Sequence, residues 1–126
     1  TFAETGTAYV NLARENICRG HIGLVSKVQV VDPFDLPKET QALFFLECMS
    51  AAKGLQNALD PIKLNYEARN NMLPHLHFKI YPRTPDDDYV GFPIHYRNSY
   101  IHTDEEIHII HKSVRDQLAT DGYLQD

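Results

Sequence analysis

Residues 73–83 read Leu-Pro-His-Leu-His-Phe-Lys-Ile-Tyr-Pro-Arg, and polar residues alternate with apolar ones through the middle of this stretch. Successive side chains of a β-strand point to opposite faces, so the alternation predicts a strand with one polar and one apolar face. Proline lacks a backbone donor and belongs at strand ends, so Pro74 and Pro82 predict where this strand begins and ends. The polar face would carry His75, His77, Lys79 and Tyr81, and the apolar face Leu76, Phe78 and Ile80.

The polar face has residue types suited to phosphate chemistry. An imidazole titrates near pH 6.5, so it can be neutral and nucleophilic at physiological pH. Lys79 follows His77 by two positions and would place an ammonium beside it, where it can hold an anion. Alternating histidines also occur on the plain polar face of a half-exposed sheet, and that interpretation stays open on these residues alone. The pattern alone is compatible with a site that handles phosphate or with a plain polar face, and the flanking residues decide between the two.

A metal site is the other alternative for the two histidines. A structural zinc ion needs four ligands, and the chain has no paired cysteines to complete such a set. We therefore predict no metal site. The remaining candidate ligands are His95, His102, His108 and His111.

The composition limits the class of protein and its partners. With 126 residues, of which 43% are hydrophobic and 23% charged, we expect a single globular domain over residues 1–126. The formal charge is −5 and no basic run is present, so neither a nucleic acid nor a membrane is an expected partner. The sequence shows no signal segment and no apolar run of about 20 residues, so we expect a cytoplasmic protein. Cys18 and Cys48 lack metal-type spacing and are expected to be free, buried thiols.

The rest of the chain predicts further strands, two helices and one long loop. The expected strands cover residues 8–12, 21–27 and 62–67, with a polar turn at 14–16 and an extended stretch at 28–31. A long helix should begin at Pro37 and end at Leu59, and a final helix should begin at a capping box of Thr103 and Glu106 and stop before Gly122. Residues 84–98 should form a surface loop with Asp86-Asp87-Asp88 as its solvated tip. The expected buried stripes are Ala42, Phe45, Met49, Ala52, Leu55 and Leu59 on the long helix, and Ile107, Ile110, Val114 and Leu118 on the final one.

Asn65-Tyr66 and residues 71–83 together resemble the histidine triad family, in particular its dinucleoside polyphosphate hydrolase branch. The family signature is His-X-His-X-His-X-X, where X is apolar. Gly20-His21-Ile22, residues 25–27 and Phe34-Asp35-Leu36 follow the order and spacing of the family, so the resemblance covers most of the chain. It implies an α+β fold: an antiparallel meander sheet with one long central helix and a C-terminal helix, usually completed across a homodimer. It also implies nucleotide binding and cleavage or transfer at the α-phosphate.

The resemblance assigns catalytic roles to three residues. It implies that His77 is the nucleophile and forms a nucleotidyl-histidine intermediate, while the backbone carbonyl of His75 accepts a hydrogen bond from the second ring nitrogen of His77. Lys79 stands where the family has its third histidine. An ammonium can stabilise developing negative charge there, but it is a poorer proton donor at neutral pH.

Four further residues are expected to contact the substrate by resemblance. Asn65 and Asn71 match positions near the phosphates and sugar, and Glu15 matches a carboxylate that accepts from ribose hydroxyls. Gln29 replaces a histidine in the segment that reads Lys-Arg-His-Val in many members. No cofactor is implied, although Mg²⁺ would suit a polyphosphate substrate. Two alternatives to an enzyme stay open: a nucleotide-binding or sensor protein with weakened catalysis, and an adaptor that acts through its dimer surface.

Overall fold

The computed structural model of this protein describes residues 1–125, and its main element is a five-stranded antiparallel sheet. The sheet contains β1 (Ala3–Glu4), β2 (Ala8–Leu12), β4 (Ile22–Ser26), β5 (Lys63–Glu67) and β6 (His77–Arg83), in the order β1-β2-β4-β6-β5. A second, two-stranded sheet pairs β3 (Glu15–Asn16) with β7 (Tyr100–Ile101). The helices are α1 (Lys38–Leu59) and α2 (Asp104–Thr120). The predicted α+β fold, with an antiparallel sheet and two helices, is confirmed.

Strand β6 has the predicted alternation of polar and apolar side chains, but it does not begin and end at the predicted residues. Leu76 and Ile80 are fully buried, and Phe78 packs against the same core. The strand begins at His77, so His75 lies just before it, and Pro82 lies inside it rather than at its end. Strand β4 pairs with β6 only as far as Ile80, whereas β5 pairs with it through Arg83. Pro82 therefore lies where β6 has a neighbour on one side only, which is where a sheet tolerates proline.

The predicted turn at residues 14–16 was wrong, because Glu15 and Asn16 form β3 and pair with Ile101 and Tyr100. A strand of two residues shows no alternation, so the sequence gives no sign of it. Strand β2 has its predicted bounds, and β4 is one residue shorter at each end than residues 21–27. The stretch 28–31 is not a strand, although the carbonyl of Val30 accepts a hydrogen bond from the Leu76 amide at 2.7 Å.

The buried face of α1 differs from the predicted stripe in the first half of the helix. Ala42 and Phe45 are exposed, and the side chains that face the core there are those of Phe44 and Cys48. Residues 43–46 are all large and apolar, so helical periodicity alone does not identify the inner face. Pro37 precedes the helix instead of opening it, since the first helical residue is Lys38.

Helix α2 has the predicted cap and most of the predicted buried stripe. The Thr103 side chain accepts from the Glu106 amide at 3.1 Å, and the Glu106 carboxylate accepts from the Thr103 amide at 2.9 Å. The helix ends at Thr120, shortly before Gly122, as expected. Within the described part of the chain, no helix is long and apolar enough to cross a membrane. The fully buried residues of α2 are Ile110, Val114 and Leu118, whereas Ile107 is only half-buried.

Helices α1 and α2 come into close contact at Gly54. A Cβ atom at this position would lie 2.6 Å from the Cα atom of Val114 and 2.9 Å from the Ser113 carbonyl oxygen. The Ser113 hydroxyl donates to the Gly54 carbonyl at 2.7 Å. Glycine is needed here because the two backbones approach too closely for any side chain.

Two polar features complete the fold outside the site. The buried carboxylate of Glu47 on α1 accepts hydrogen bonds from the Thr5 hydroxyl and from the amide of Thr7, the latter at 3.1 Å, which fastens the turn between β1 and β2 to the helix. Cys18 and Cys48 are free thiols, as expected, with Cys48 buried and Cys18 half-buried. Burial raises the pKa of Cys18 to about 12, and it raises the pKa of Cys48 as well.

Strand β5 is an edge strand and is less buried than its alternation predicts. Of its expected inward residues only Leu64 is buried, while Ile62, just before the strand, and Tyr66 are exposed. Large apolar side chains are exposed to solvent on β5 and just before it, in the first half of α1, and in the segment that precedes α1. They are Phe34, Leu43, Phe45, Leu46, Ile62 and Tyr66.

Candidate functional site

The imidazole of His77 is held in one orientation by the backbone just before it. Its Nδ1 atom lies 2.8 Å from the carbonyl oxygen of His75. A carbonyl only accepts hydrogen bonds, so Nδ1 carries the proton and donates, and the Nε2 atom of the neutral ring keeps its lone pair. The hydrogen bond that the sequence resemblance implied is therefore present.

Asn70 fixes the backbone of His77 and was not singled out from the sequence. Its side-chain oxygen accepts from the His77 amide at 3.0 Å, and its side-chain nitrogen donates to the Val31 carbonyl at 2.9 Å. Asn70 is only 6% exposed, and its φ of 55° lies in the left-handed region, which asparagine adopts more readily than most residues. Its neighbour Asn71, the predicted substrate contact, is exposed and has no hydrogen bond to any described residue.

His75 is anchored to strand β4. Its Nε2 atom lies 2.7 Å from the carbonyl oxygen of Ser26, so Nε2 donates and the Nδ1 atom of the neutral ring is unprotonated. The Ser26 amide in turn donates to the Leu76 carbonyl at 3.0 Å. Gln29 lies in the adjoining stretch, but its side chain is exposed and hydrogen-bonds to none of residues 1–125. The structure places Gln29 next to Val30, whose carbonyl bonds to the Leu76 amide, but gives the Gln29 side chain no hydrogen bond to the histidine segment.

Lys79 lies on the same face of β6 as His77, with Gly23 opposite it on β4 and Glu67 opposite it on β5. A Cβ atom at Gly23 would meet no atom within 4 Å, so this part of the face is open. The Lys79 side chain is half-buried, and its ammonium makes no hydrogen bond or ion pair with the residues that the structure describes. His77 and Lys79 thus share an open, polar area of the sheet.

The other half of the same face, towards Arg83, is buried, and its side chains are hydrogen-bonded to one another. Arg83 is 0% exposed; its Nε atom donates to Asp87 at 3.0 Å and one of its terminal nitrogens donates to the Asn65 side-chain oxygen at 2.7 Å. Asp87 is therefore half-buried in an ion pair, and the expectation of a wholly solvated Asp86-Asp87-Asp88 tip was wrong at its middle residue. The predicted substrate contact Asn65 is in part engaged by Arg83, which leaves its side-chain nitrogen without a described partner.

His21 is a further buried histidine beside this face, and its role was not predicted. Its ring stacks on Tyr81 with 4.4 Å between centroids, and its Nδ1 atom lies 2.6 Å from the Asn16 side-chain oxygen. Burial lowers the pKa of His21 to about 4, and the positive charge of the Lys79 ammonium acts in the same direction. His21 is therefore neutral at physiological pH and adds no charge to the site.

The carboxylate of Glu15 is not brought to the histidines. It lies in the small β3–β7 sheet, is exposed, and accepts a hydrogen bond from the Ser99 hydroxyl at 3.0 Å. It has no hydrogen bond to His75, His77 or Lys79. Across residues 1–125 no group of three or more histidine, cysteine, aspartate or glutamate residues is arranged to hold a metal ion.

Comparison with known proteins identifies the fold. No protein-family model and no curated protein matches the chain. Among solved structures, a histidine triad protein from Marinobacter aquaeolei VT8 matches with a TM-score of 0.79 and 21% identity, over 94% of this chain and 88% of that one. A histidine triad protein from Bradyrhizobium japonicum matches with a TM-score of 0.80 and 21% identity, over 92% and 87%. A hypothetical histidine triad nucleotide-binding protein from Sulfolobus tokodaii strain 7 matches with a TM-score of 0.69 and 16% identity, over 94% and 83%.

These matches show that the chain has the fold of histidine triad proteins. The resemblance read from residues 65–83 is thus confirmed for the fold. The hydrolase branch, the roles of the site residues and the dimer stay predictions, because structural similarity at 16% to 21% sequence identity establishes only the fold.

Proposed function

We propose that this protein is a nucleotide hydrolase or nucleotidyl transferase that cuts a dinucleoside polyphosphate, or a related nucleoside phosphate, at its α-phosphate. The observation that carries the proposal is the hydrogen bond from Nδ1 of His77 to the His75 carbonyl. It leaves the Nε2 lone pair available on the face that also carries Lys79. A fixed, neutral imidazole beside a cation is the arrangement that nucleophilic attack on phosphorus requires.

The reaction takes two in-line displacements. In the first, Nε2 of His77 attacks the α-phosphorus, a P–N bond forms, and the P–O bond to the leaving group breaks with its electron pair on the departing oxygen. In the second, water attacks the same phosphorus, the P–N bond breaks with its electron pair on Nε2, and the water proton passes to solvent. The attack makes the ring of His77 cationic, and the His75 carbonyl stabilises that cation through the Nδ1–H bond.

Two of the other predicted residues, Lys79 and Asn71, act on the substrate in this scheme. The Lys79 ammonium stabilises negative charge on the phosphates, and the exposed Asn71 is the expected contact for a phosphate or the sugar. The scheme needs no resident metal, and a divalent cation would enter with the polyphosphate. The Sulfolobus tokodaii match, whose description is nucleotide-binding, supports a nucleotide as the substrate class.

The test is to incubate the protein with diadenosine polyphosphates, quench it, and examine its peptides and products by mass spectrometry. We expect AMP release and a nucleotidyl adduct on His77, and we expect both to be lost in His77→Ala without loss of the fold. The matched control is His108→Ala, which removes an exposed histidine of α2 and should keep wild-type turnover. Nucleotide binding without an adduct or product would instead identify a binding or sensor protein.

A homodimer is the second part of the proposal. Phe34 and Phe45 line a cavity together with Phe78 of β6, and Tyr66 of the edge strand β5 stacks on Phe78. The Phe45 side chain is 55% and Leu46 50% exposed. Exposed aromatic and aliphatic side chains next to an unpaired strand suit self-association. We expect the mass in solution to be that of a dimer, and Phe45→Asp to shift it to a monomer. A monomeric wild-type protein at micromolar concentration would contradict this part.

A further inference from the structure

Gly23 lies in the middle of β4, which is itself the middle strand of the five-stranded sheet. The fold gives no reason for a glycine there, because its pairing with Asn11 of β2 and with Lys79 of β6 is continuous and its φ is not positive. A Cβ atom at Gly23 would meet no atom within 4 Å, so no neighbouring backbone excludes a side chain. Glycine weakens the interior of a strand, and without a bulge or a close backbone it marks a place where a ligand approaches.

Two free hydrogen-bond donors flank Gly23 on the face that carries His77. Asn11 and Lys79 lie directly opposite Gly23 on the two neighbouring strands, so all three share a face, and the flanking backbones are about 10 Å apart. The Asn11 side-chain oxygen accepts from the Thr1 hydroxyl at 2.6 Å, while its side-chain nitrogen has no partner among residues 1–125. The three residues form a trough, the Gly23 trough, with an amide donor on one side and the Lys79 ammonium on the other.

This trough lies within reach of a phosphate bound to His77. Lys79 follows His77 by two residues, about 7 Å along the strand, and Gly23 lies diagonally across from His77 at about 7–8 Å. In the proposed reaction the α-phosphorus binds Nε2 of His77, and the sugar of the same nucleotide is joined to that phosphorus through a single ester oxygen. The sugar is therefore close enough to enter the Gly23 trough.

The charges on the two sides of the trough decide which part of the substrate it holds. Besides its free oxygens, the α-phosphorus carries a neutral sugar and an anionic phosphate chain. The chain is attracted by the Lys79 ammonium. The sugar is uncharged and rich in hydroxyls, so it suits the amide donor of Asn11 and the bare backbone of Gly23. A base would need an aromatic or aliphatic side chain to stack on, and neither of these residues supplies one.

We infer that the Gly23 trough binds the sugar of the nucleotide that His77 takes up, with the Asn11 amide donating to a sugar hydroxyl and the missing side chain of Gly23 leaving room for the ring. This inference rests on the proposed function. It gives a binding role to two residues outside the histidine segment, whereas Glu15, which the resemblance assigned to the sugar, lies in the other sheet.

The first experiment fills the trough with one methyl group. Gly23→Ala should raise the midpoint of thermal unfolding by about 2–4 °C, because alanine loses less backbone entropy in a strand and its Cβ has space. The same substitution should lower kcat/KM for AMP release from diadenosine triphosphate about tenfold, mainly through KM, because the methyl group occupies the place of the sugar. The matched control is Gly91→Ala, where an added Cβ also meets no atom within 4 Å and kcat/KM should stay unchanged.

The second experiment removes the sugar hydroxyls and their donor in turn. The substrates are diadenosine triphosphate and its analogue with 2′,3′-dideoxyadenosine at both ends. We expect the wild-type protein to lose about fivefold in kcat/KM on the analogue, as for one neutral hydrogen bond. Asn11→Ala should lose about fivefold on the ribose substrate and nothing further on the analogue. The control Asn57→Ala, at an exposed asparagine of α1, should behave as the wild type on both substrates.

The outcomes separate this inference from the proposed function. Wild-type kcat/KM in Gly23→Ala would overturn the inference and leave the proposed function in place. An equal loss in Asn11→Ala on both substrates, or wild-type behaviour of this variant on the ribose substrate, would overturn it in the same way. Absence of AMP from both substrates with the wild-type protein would overturn the proposed function and this inference with it.

Discussion

Replacing Asn70 should cost stability by an amount that depends on the backbone as well as on the lost contacts. The side chain makes two hydrogen bonds, to Val31 and from His77, and each contributes about 1 kcal/mol net. Its φ of 55° costs an alanine about a further 1–2 kcal/mol and costs a glycine nothing. Asn70→Ala should therefore lower the free energy of unfolding by about 3–4 kcal/mol and Asn70→Gly by about 2 kcal/mol.

Urea unfolding followed by far-ultraviolet circular dichroism measures this difference, and the rate of AMP release measures its consequence at the site. We expect Asn70→Gly to lower kcat at nearly constant KM, because His77 loses the acceptor that fixes its backbone. Asn70→Asp keeps that acceptor and should retain more of kcat. The control Asn71→Gly, at an exposed position, should leave the free energy of unfolding unchanged within about 0.5 kcal/mol. Equal stabilities of the alanine and glycine variants, or wild-type kcat in Asn70→Gly, would refute the reasoning.

Three further predictions concern stability. Gly54→Ala should destabilise the protein by about 1–3 kcal/mol in thermal denaturation, despite the better helix propensity of alanine, because α2 must move away; a stabilised variant would contradict the close contact. The lowered pKa of His21 means that the unfolded chain binds a proton near pH 6.5 that the folded chain binds only near pH 4, so stability should fall by up to about 3 kcal/mol as pH drops through that window. Urea titrations at pH 7 and 4.5 should show a smaller fall in His21→Gln than in the wild type. Asp87→Ala should cost about 3 kcal/mol, because it leaves the buried Arg83 without its ion pair, whereas Asp86→Ala at the exposed neighbour should cost less than about 0.5 kcal/mol.

Features that repeat along the chain were predictable from the sequence. The alternation through residues 76–81 gave the two faces of β6, and the spacing of Thr103 and Glu106 gave the start of α2. Both depend on neighbours within a few residues, so local geometry decides them. The inner face of α1 was not predictable in its first half, because residues 43–46 are apolar on every side of the helix.

Features that depend on contacts between residues far apart in the sequence, or on the conformation of one residue, were not predicted. The pairing of Glu15 with Ile101 joins residues far apart in the chain, and neither short strand has a periodic pattern. The family resemblance pointed to Asn71 and not to Asn70, and nothing in the sequence shows that the backbone places Asn70 in the left-handed region. Burial of Asp87 likewise depends on Arg83 reaching back to it. The histidine pair was identified because its two residues are only two positions apart in the sequence, so no distant contact was needed to bring them together.

The raised pKa values of the two thiols affect how the protein reacts with oxidants. Reaction with peroxide or a disulfide requires the thiolate, and the raised pKa values of Cys18 and Cys48 keep both sulfurs protonated in the folded state. Cys48 is in addition out of reach of solvent. Oxidation of Cys48 therefore requires that the protein first unfolds, at least locally. An alkylating reagent in excess would record each opening of the core as one irreversible modification, so its rate measures how often the native structure is lost.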